Sequence, residues 1–232
     1  MIPQTKAARL PRRRKLSSLW RNKDAIMLIE FAYSLPILML LAFGSIELAN
    51  LAITNMRVSQ IAMTVADNLS RAKQSVPLGL PQLREVDIND ALLGAKIQGG
   101  SKINILTQGR IVVSSLQQNG SGNQRIFWQR CKGTMVKASN YGVEGATQGT
   151  TPGFTGMGAG TNKVQAAAGS AIIFAEVTYN YEPLVGNWVM GSFTIRREAA
   201  FYVRDDRDLT QVYNPSPTAT ASTCNLYTST FT

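Results

Sequence analysis

The first pattern along the chain is a long, uninterrupted apolar segment near the N-terminus. Residues 25–46 read AIMLIEFAYSLPILMLLAFGSI, 22 residues in which Glu30 is the one acidic or basic side chain. As a helix this segment would extend about 33 Å at 1.5 Å per residue, enough to cross a hydrocarbon core of about 30 Å. The length predicts a transmembrane helix rather than a cleaved secretory signal, whose apolar part usually has about 7–15 residues.

After residue 46 the apolar pattern changes from continuous to periodic. Apolar or small residues recur at steps of mostly three, four or seven, which places them on one face of a helix. These positions are Leu48, Leu51, Val58, Ala62, Val65, Leu69 and Ala72. The pattern predicts an amphipathic extension over 47–76, ending near Val76 because Pro77, Gly79 and Pro81 follow.

The remainder of the chain predicts a domain over 77–214. A short helix is expected at 88–97 with Asp87 or Asn89 as its N-cap. Strand-like stretches rich in β-branched and aromatic residues follow at 103–116, 125–131, 170–181 and 192–204, and the first two read as a hairpin. The predicted fold class is therefore α+β: a long N-terminal transmembrane and amphipathic helix followed by a small antiparallel-sheet domain.

Aromatic residues in these stretches and the loop between the last two are expected to fill or flank the sheet core. They are Phe127, Trp128, Tyr179, Tyr181, Trp188, Phe193, Phe201 and Tyr202.

Two segments have no regular pattern. The first is a glycine-rich loop at 138–163, which we expect to be flexible, either as an exposed contact surface or as a disordered segment. Its GMGAG string at 156–160 lacks the βαβ setting that makes such glycines bind a dinucleotide. The second is a Ser/Thr-rich tail at 215–232.

Charge is distributed unevenly along the chain. The net charge is +10, of which residues 1–24 carry +7 and the other 208 residues only +3. A basic run can bind nucleic acid, but this one directly precedes an apolar segment, where such residues keep the flank in the cytoplasm. Only Arg57 follows the span within about 20 residues of its end. We therefore predict a basic cytoplasmic leader at 1–24 and no nucleic-acid partner.

Composition argues against most enzyme classes. The chain has no histidine and two cysteines, which removes the commonest general base and any Cys/His zinc cluster. We find no convincing nucleophile–base motif or phosphate-binding loop, and expect no catalysis, cofactor, metal or small-molecule substrate. The acidic residues Asp205, Asp206 and Asp208 are interpreted as a solvated turn rather than a metal site.

The two cysteines, Cys131 and Cys224, both lie beyond the apolar segment. If this part of the chain is exported, it enters an oxidising compartment in which an even number of cysteines can form a disulfide. Two independent buried thiols are the alternative.

Glu30 is the exceptional residue of the span. A carboxylate in the hydrocarbon region is costly unless it is neutral, paired or close enough to the membrane face to reach water. Pro36 removes a backbone donor in the same helix and favours a local bend.

These features form a recognisable signature. The string Glu30-Phe31-Ala32, followed by Pro36, Gly44 and Glu47, resembles the N-terminal signature of TadE-like proteins, minor pseudopilins of the Tad (tight adherence, Flp-type) pilus. The sequences AEVTYNYEP at 175–183 and FYVR at 201–204 resemble the C-terminal region of that family more loosely.

The resemblance implies processing by a prepilin peptidase between Ala25 and Ile26, which leaves Glu30 as the fifth mature residue. The residue before the cut is usually glycine in this superfamily, and here it is Ala25. Cleavage would create a positive amine on Ile26, which Glu30 of a neighbouring subunit could pair with when the helices pack.

The expected function is therefore that of a minor pseudopilin or pilus-assembly subunit without enzymatic activity. Expected partners are the inner membrane, other pilus subunits, the assembly machinery and prepilin peptidase. The protein would cross the bacterial inner membrane once, with its N-terminus in the cytoplasm and its C-terminal domain in the periplasm, or enter a surface pilus. The alternative is an uncleaved single-pass envelope protein that acts as a scaffold or adhesin.

Overall fold

A computed structural model of the protein describes residues 23–186, 191–204 and 206–231, with side chains from residue 26 onward. The chain divides into two compact units, Met1–Ile46 and Glu47–Thr232. The leader up to residue 22, Trp188 and Asp205 lie outside the described residues.

The longest element is helix α1, Lys23–Arg71, which has 49 residues and contains Pro36. It ends at Arg71 rather than near Val76, because Gln74 already pairs with Gln82 through two backbone hydrogen bonds of 2.8 and 2.9 Å. The guanidinium of buried Arg207 donates at 2.8 Å to the carbonyls of both Leu69 and Ala72. These bonds satisfy backbone acceptors that a helix end leaves without partners.

By length and composition, α1 is the one helix of the described chain that could cross a membrane. Its apolar residues from 26 to 46 are largely exposed, as expected of a surface that faces lipid or another protein. The long apolar N-terminal helix predicted from the sequence is confirmed.

Within the second unit, one face of α1 is buried. The fully buried apolar positions are Val58, Ile61, Ala62, Val65, Ala66 and Leu69. The predicted stripe is wrong at Leu48, which is 58% exposed. Glu47 is the first buried residue of this face. Leu48 follows it directly and is rotated by about 100° around the helix axis, so its side chain points away from the core.

Helix α2 covers Glu85–Gly99 and begins earlier than predicted. Its N-cap is Arg84 rather than Asp87 or Asn89. The carboxylate of Asp87 accepts from the Arg84 backbone amide at 3.0 Å, as the third helical residue does in a capping box, and it also pairs with the Arg84 guanidinium at 2.7 Å. The amide of Asn89 instead donates to the Thr220 carbonyl at 2.8 Å, holding the C-terminal tail.

The sheet has four antiparallel strands in the order β2-β1-β3-β4. They are β1 (Gly109–Gln118), β2 (Gln124–Lys132), β3 (Ala171–Tyr181) and β4 (Phe193–Tyr202). The predicted antiparallel α+β class is confirmed. The first strand begins at residue 109 rather than 103 because Asn104 accepts backbone hydrogen bonds from Thr107 and Gln108, forming a turn that precedes it.

The two faces of the sheet carry separate cores. One face packs α1 and α2 against Ile111, Val113, Ile173, Val177 and Tyr179 among others. The opposite face brings Leu116, Ile126, Ile172 and Phe174 against Ala146, Phe154, Met157 and Ala166. Among the aromatic residues, Trp128, Tyr179 and Tyr181 are buried, whereas Phe193 and Tyr202 on the edge strand β4 are 40% and 51% exposed.

The glycine-rich segment at 138–163 covers this second face. The expectation of a flexible or exposed loop is wrong for its centre, because Phe154 and Met157 are buried and Met157 pairs with Val164 at 2.7 and 3.2 Å. Gly156 has φ +129°, and a Cβ there would lie 2.6 Å from the Val164 carbonyl oxygen. Glycine allows this close approach while the two larger apolar side chains supply the packing.

Candidate functional site

The N-terminal signature lies on the first turns of α1. Ile26 is 53% and Phe31 is 59% exposed, and Glu30 makes no hydrogen bond or ion pair with any described residue. Residues four apart share one face of a helix, so Ile26 and Glu30 are neighbours along the helix surface. An amine on Ile26 and the Glu30 carboxylate would therefore be presented on the same side.

Ala25 and Ile26, the residues on either side of the predicted cut, both lie within α1.

Pro36 and Gly44 shape the rest of the span. Proline has no N–H group, so the carbonyl of Ala32 four residues earlier receives no helical hydrogen bond from it. At Gly44, an added Cβ would meet no atom of the chain within 4 Å. Both features leave room or hydrogen-bonding capacity for a neighbouring helix, as small residues do at helix interfaces in membranes.

Glu47 has a different environment from Glu30. It is fully buried, it accepts a short hydrogen bond from the Tyr181 hydroxyl, and it accepts a second from the Val185 amide at 3.0 Å. Asn50, one turn along the helix, donates to the same Tyr181 oxygen at 2.8 Å. These bonds join the start of the second unit's helix to the end of β3.

The environment of Glu47 favours its charged form. Burial by itself raises the pKa of the carboxyl, but the hydrogen bonds from Tyr181 and from the backbone of Val185 and Leu184 outweigh it and hold the pKa below its ordinary value. Burial and the same contact raise the pKa of Tyr181 to about 12. The pair is therefore a carboxylate that accepts a hydrogen bond from a neutral phenol. The sequence singled out Glu47 as part of a signature but gave no indication of its partner.

The two cysteines are joined. Cys131, near the end of β2, forms a disulfide with Cys224 in the C-terminal tail, with their Cα atoms 4.7 Å apart. The amide of Cys131 donates to the Ser222 carbonyl at 2.7 Å, and that of Gly133 donates to Thr228 at 3.0 Å. The tail is thus attached along its length rather than at one covalent point.

A buried arginine reinforces this attachment, and sequence reasoning missed it. Arg110 is 1% exposed, and its guanidinium donates to the carbonyls of Gly133 at 2.9 Å, Leu226 at 3.1 Å and Cys224 at 2.6 Å. It also lies 4.1 Å from the centre of the Tyr227 ring. Burial lowers the pKa of Arg110, because no carboxylate among its described contacts offsets the loss of hydration.

The acidic stretch after β4 forms a local turn at Asp208. Its carboxylate accepts hydrogen bonds from the amide of Thr210 at 2.8 Å and from the Tyr213 hydroxyl. The side-chain and backbone bonds from Thr210 and the bond from Tyr213 lower the pKa of Asp208. Across residues 23–186, 191–204 and 206–231, no group of three His, Cys, Asp or Glu side chains could hold a metal ion.

Comparison with known proteins agrees with the signature on α1. Residues 26–67 match the family model described as TadE-like protein, and the match begins at the residue predicted to follow the leader cleavage. No curated protein and no solved structure matches the chain significantly. Residues 26–67 therefore form a TadE-like segment, and this match points to a protein associated with the Tad pilus.

Proposed function

We propose that this protein is a minor pseudopilin or pilus-assembly subunit of a Tad pilus, anchored in the bacterial inner membrane by residues 25–46. The observation that carries the proposal is the TadE-like match over residues 26–67. It begins in the apolar part of α1, residues 25–46, where Glu30 is the one acidic residue. The role is structural: the helix inserts and assembles, and the second unit is presented outside the cytoplasm.

The orientation follows from charge and redox chemistry. The leader carries a net +7, and basic residues next to a span remain in the cytoplasm. The second unit contains the Cys131–Cys224 disulfide, and such bonds persist in oxidising compartments such as the periplasm. Both observations support a cytoplasmic N-terminus and a periplasmic second unit.

In this proposal, the carboxylate of Glu30 binds a neighbouring subunit during assembly. After cleavage between Ala25 and Ile26 by prepilin peptidase, the new amine is positive near neutral pH. Pairing of this amine with Glu30 of a neighbouring subunit offsets the desolvation of both charges and sets the axial register of the two helices. Other pilus subunits and the assembly machinery are thus the partners of this helix.

The test is replacement of Glu30 by Ala in the full chain, expressed in the native bacterium in place of the wild-type copy. We expect Glu30→Ala to stay in the membrane fraction but to fall at least about tenfold in the sheared pilus fraction, since a single charged hydrogen-bonded pair accounts for a loss of this size. Ser34→Ala, on the same exposed helix, is the matched control and should assemble normally. Unchanged incorporation of Glu30→Ala would contradict the proposed role of the carboxylate.

Ala25 favours a second candidate function. Because glycine usually precedes the cut in this superfamily, alanine at this position supports an uncleaved envelope protein that acts as a scaffold or adhesin outside the filament. N-terminal sequencing of the membrane-extracted protein separates the two: a start at Ile26 supports the subunit, and an intact leader supports the permanent anchor.

A further inference from the structure

A pocket of about 300 Å³ lies in the second unit, close in sequence to the end of the span. All of its lining residues belong to that unit, and the helix side contributes Asn50, Ile53, Thr54 and Arg57. The opposite wall consists of Lys102, Ile103, Tyr179, Tyr181, Glu182 and Leu184. Its volume is at the lower end of the range for small-ligand sites.

Three charged residues line this pocket. Arg57, Lys102 and Glu182 make no hydrogen bond or ion pair within the described parts of the chain. Other charged residues of the same unit are paired, including Arg130 with Glu85 and Arg196 with Glu176. Two cations and one carboxylate together complement a ligand that has a phosphate group and an ammonium group.

One wall of the pocket is held by hydrogen bonds, and exposed apolar side chains form its rim. Tyr181 is 1% exposed and is held by Glu47 and Asn50, which keeps the wall in place. At the rim, Ile53 is 48% and Leu184 is 67% exposed. An exposed apolar rim around a polar interior suits an amphipathic ligand.

We propose that this pocket binds the headgroup of a membrane phospholipid that carries a primary ammonium, with its phosphate on Arg57 and Lys102 and its ammonium on Glu182. The inference rests on the membrane anchoring of the proposed function, but lipid binding by the isolated protein does not depend on pilus assembly. The two can therefore fail separately.

The test is native mass spectrometry of the full-length protein in neutral detergent, titrated with phosphatidylethanolamine, phosphatidylglycerol and diacylglycerol of identical acyl chains. We expect one retained phosphatidylethanolamine per protein, weaker phosphatidylglycerol and no retained diacylglycerol. The Arg57→Gln/Lys102→Gln double variant should bind phosphatidylethanolamine at least tenfold more weakly. Glu182→Gln should abolish the preference over phosphatidylglycerol.

Arg125→Gln removes an exposed positive charge that does not line the pocket and is the matched control, expected to bind like the wild type. Thermal unfolding of each variant verifies that the second unit is folded. Equal retention of diacylglycerol, tighter binding of phosphatidylglycerol, or undiminished binding by the double variant would overturn the proposal. So would a site that takes inorganic phosphate but retains no lipid.

Discussion

Helix α1 has two regions with opposite surroundings. Apolar side chains in residues 26–46 are largely exposed, with Ile37 at 64% and Leu40 at 60%. In the part from Glu47 to Arg71, Ile61, Val65 and Leu69 are completely buried against the sheet and α2. The same secondary structure thus serves two environments, and the arrangement of apolar residues distinguishes them.

The two glutamates show the same contrast. Glu30 has no partner within the described chain, whereas Glu47 is buried with a phenol and a backbone amide as hydrogen-bond donors. A buried charge needs partners, and the second unit supplies them to Glu47 from its own β3 and the loop after it. For Glu30 no described residue of the chain supplies such a partner, and the assembly proposal rests on this difference.

The largest expected effect concerns the disulfide, which constrains the second unit alone. Its cysteines are 93 residues apart, and the chain-entropy model gives about 4 to 5 kcal/mol for a loop of that length. We expect Cys131→Ser/Cys224→Ser to lower the unfolding free energy of this unit accordingly, measured by urea titration of the full chain in detergent. The far-UV helical signal of the span should persist, and an unchanged midpoint would contradict the expectation.

A smaller effect is expected from matched truncations in the two regions of α1. Ile61→Ala leaves a cavity in the core and should destabilise the second unit by about 3 kcal/mol. Ile37→Ala removes the same atoms from an exposed position and should leave the melting temperature of that unit unchanged. Differential scanning calorimetry compares them, and equal losses would show that the division between the two regions is wrong.

The smallest effect should come from removing one hydroxyl beside Glu47. Tyr181→Phe leaves a buried carboxylate with one donor fewer and should cost about 1 to 3 kcal/mol. Tyr179→Phe is the control, because its hydroxyl donates at 3.0 Å to the neutral amide of Gln108 and its loss should cost less. Urea midpoints of the two variants measure the difference, and equal costs would remove the special role of Glu47.

The same site predicts a pH dependence. Because the folded pKa of Glu47 is below the ordinary value of 4.5, its stabilising contribution is present above that value and is lost as the pH falls through the lowered pKa. Glu47→Gln should flatten this part of the acid-unfolding curve, measured as urea midpoints from pH 7 to 3. A curve parallel to that of the wild type would exclude Glu47 as a contributor.

Some features were predictable because they depend on local patterns. The long apolar helix, the helix near residue 90 and the four strands follow from hydrophobic periodicity and β-branched content. Their boundaries were less predictable, since Arg84 caps α2 through a side-chain pair and Arg207 caps α1 from a distant segment. Such contacts depend on which residues folding brings together rather than on neighbours in sequence.

The glycine-rich segment shows the same limitation. Its composition favoured flexibility, yet Phe154 and Met157 supply enough apolar surface to pack it against the sheet. Nothing within the segment specifies that the strand face opposite α1 is apolar and needs cover. That requirement arises from the strand order, which the local pattern does not encode.

By itself, the amino-acid sequence determined the apolar span, the isolated Glu30, the TadE-like signature and the antiparallel α+β class, because each depends on residue type and short-range periodicity. Only the tertiary structure decided that Glu47 is held by Tyr181, that Arg110 binds the tail carbonyls, and that Arg57, Lys102 and Glu182 line one pocket. Each of these arrangements brings together residues more than 40 positions apart in sequence, and its geometry is set when the helix and tail pack against the sheet.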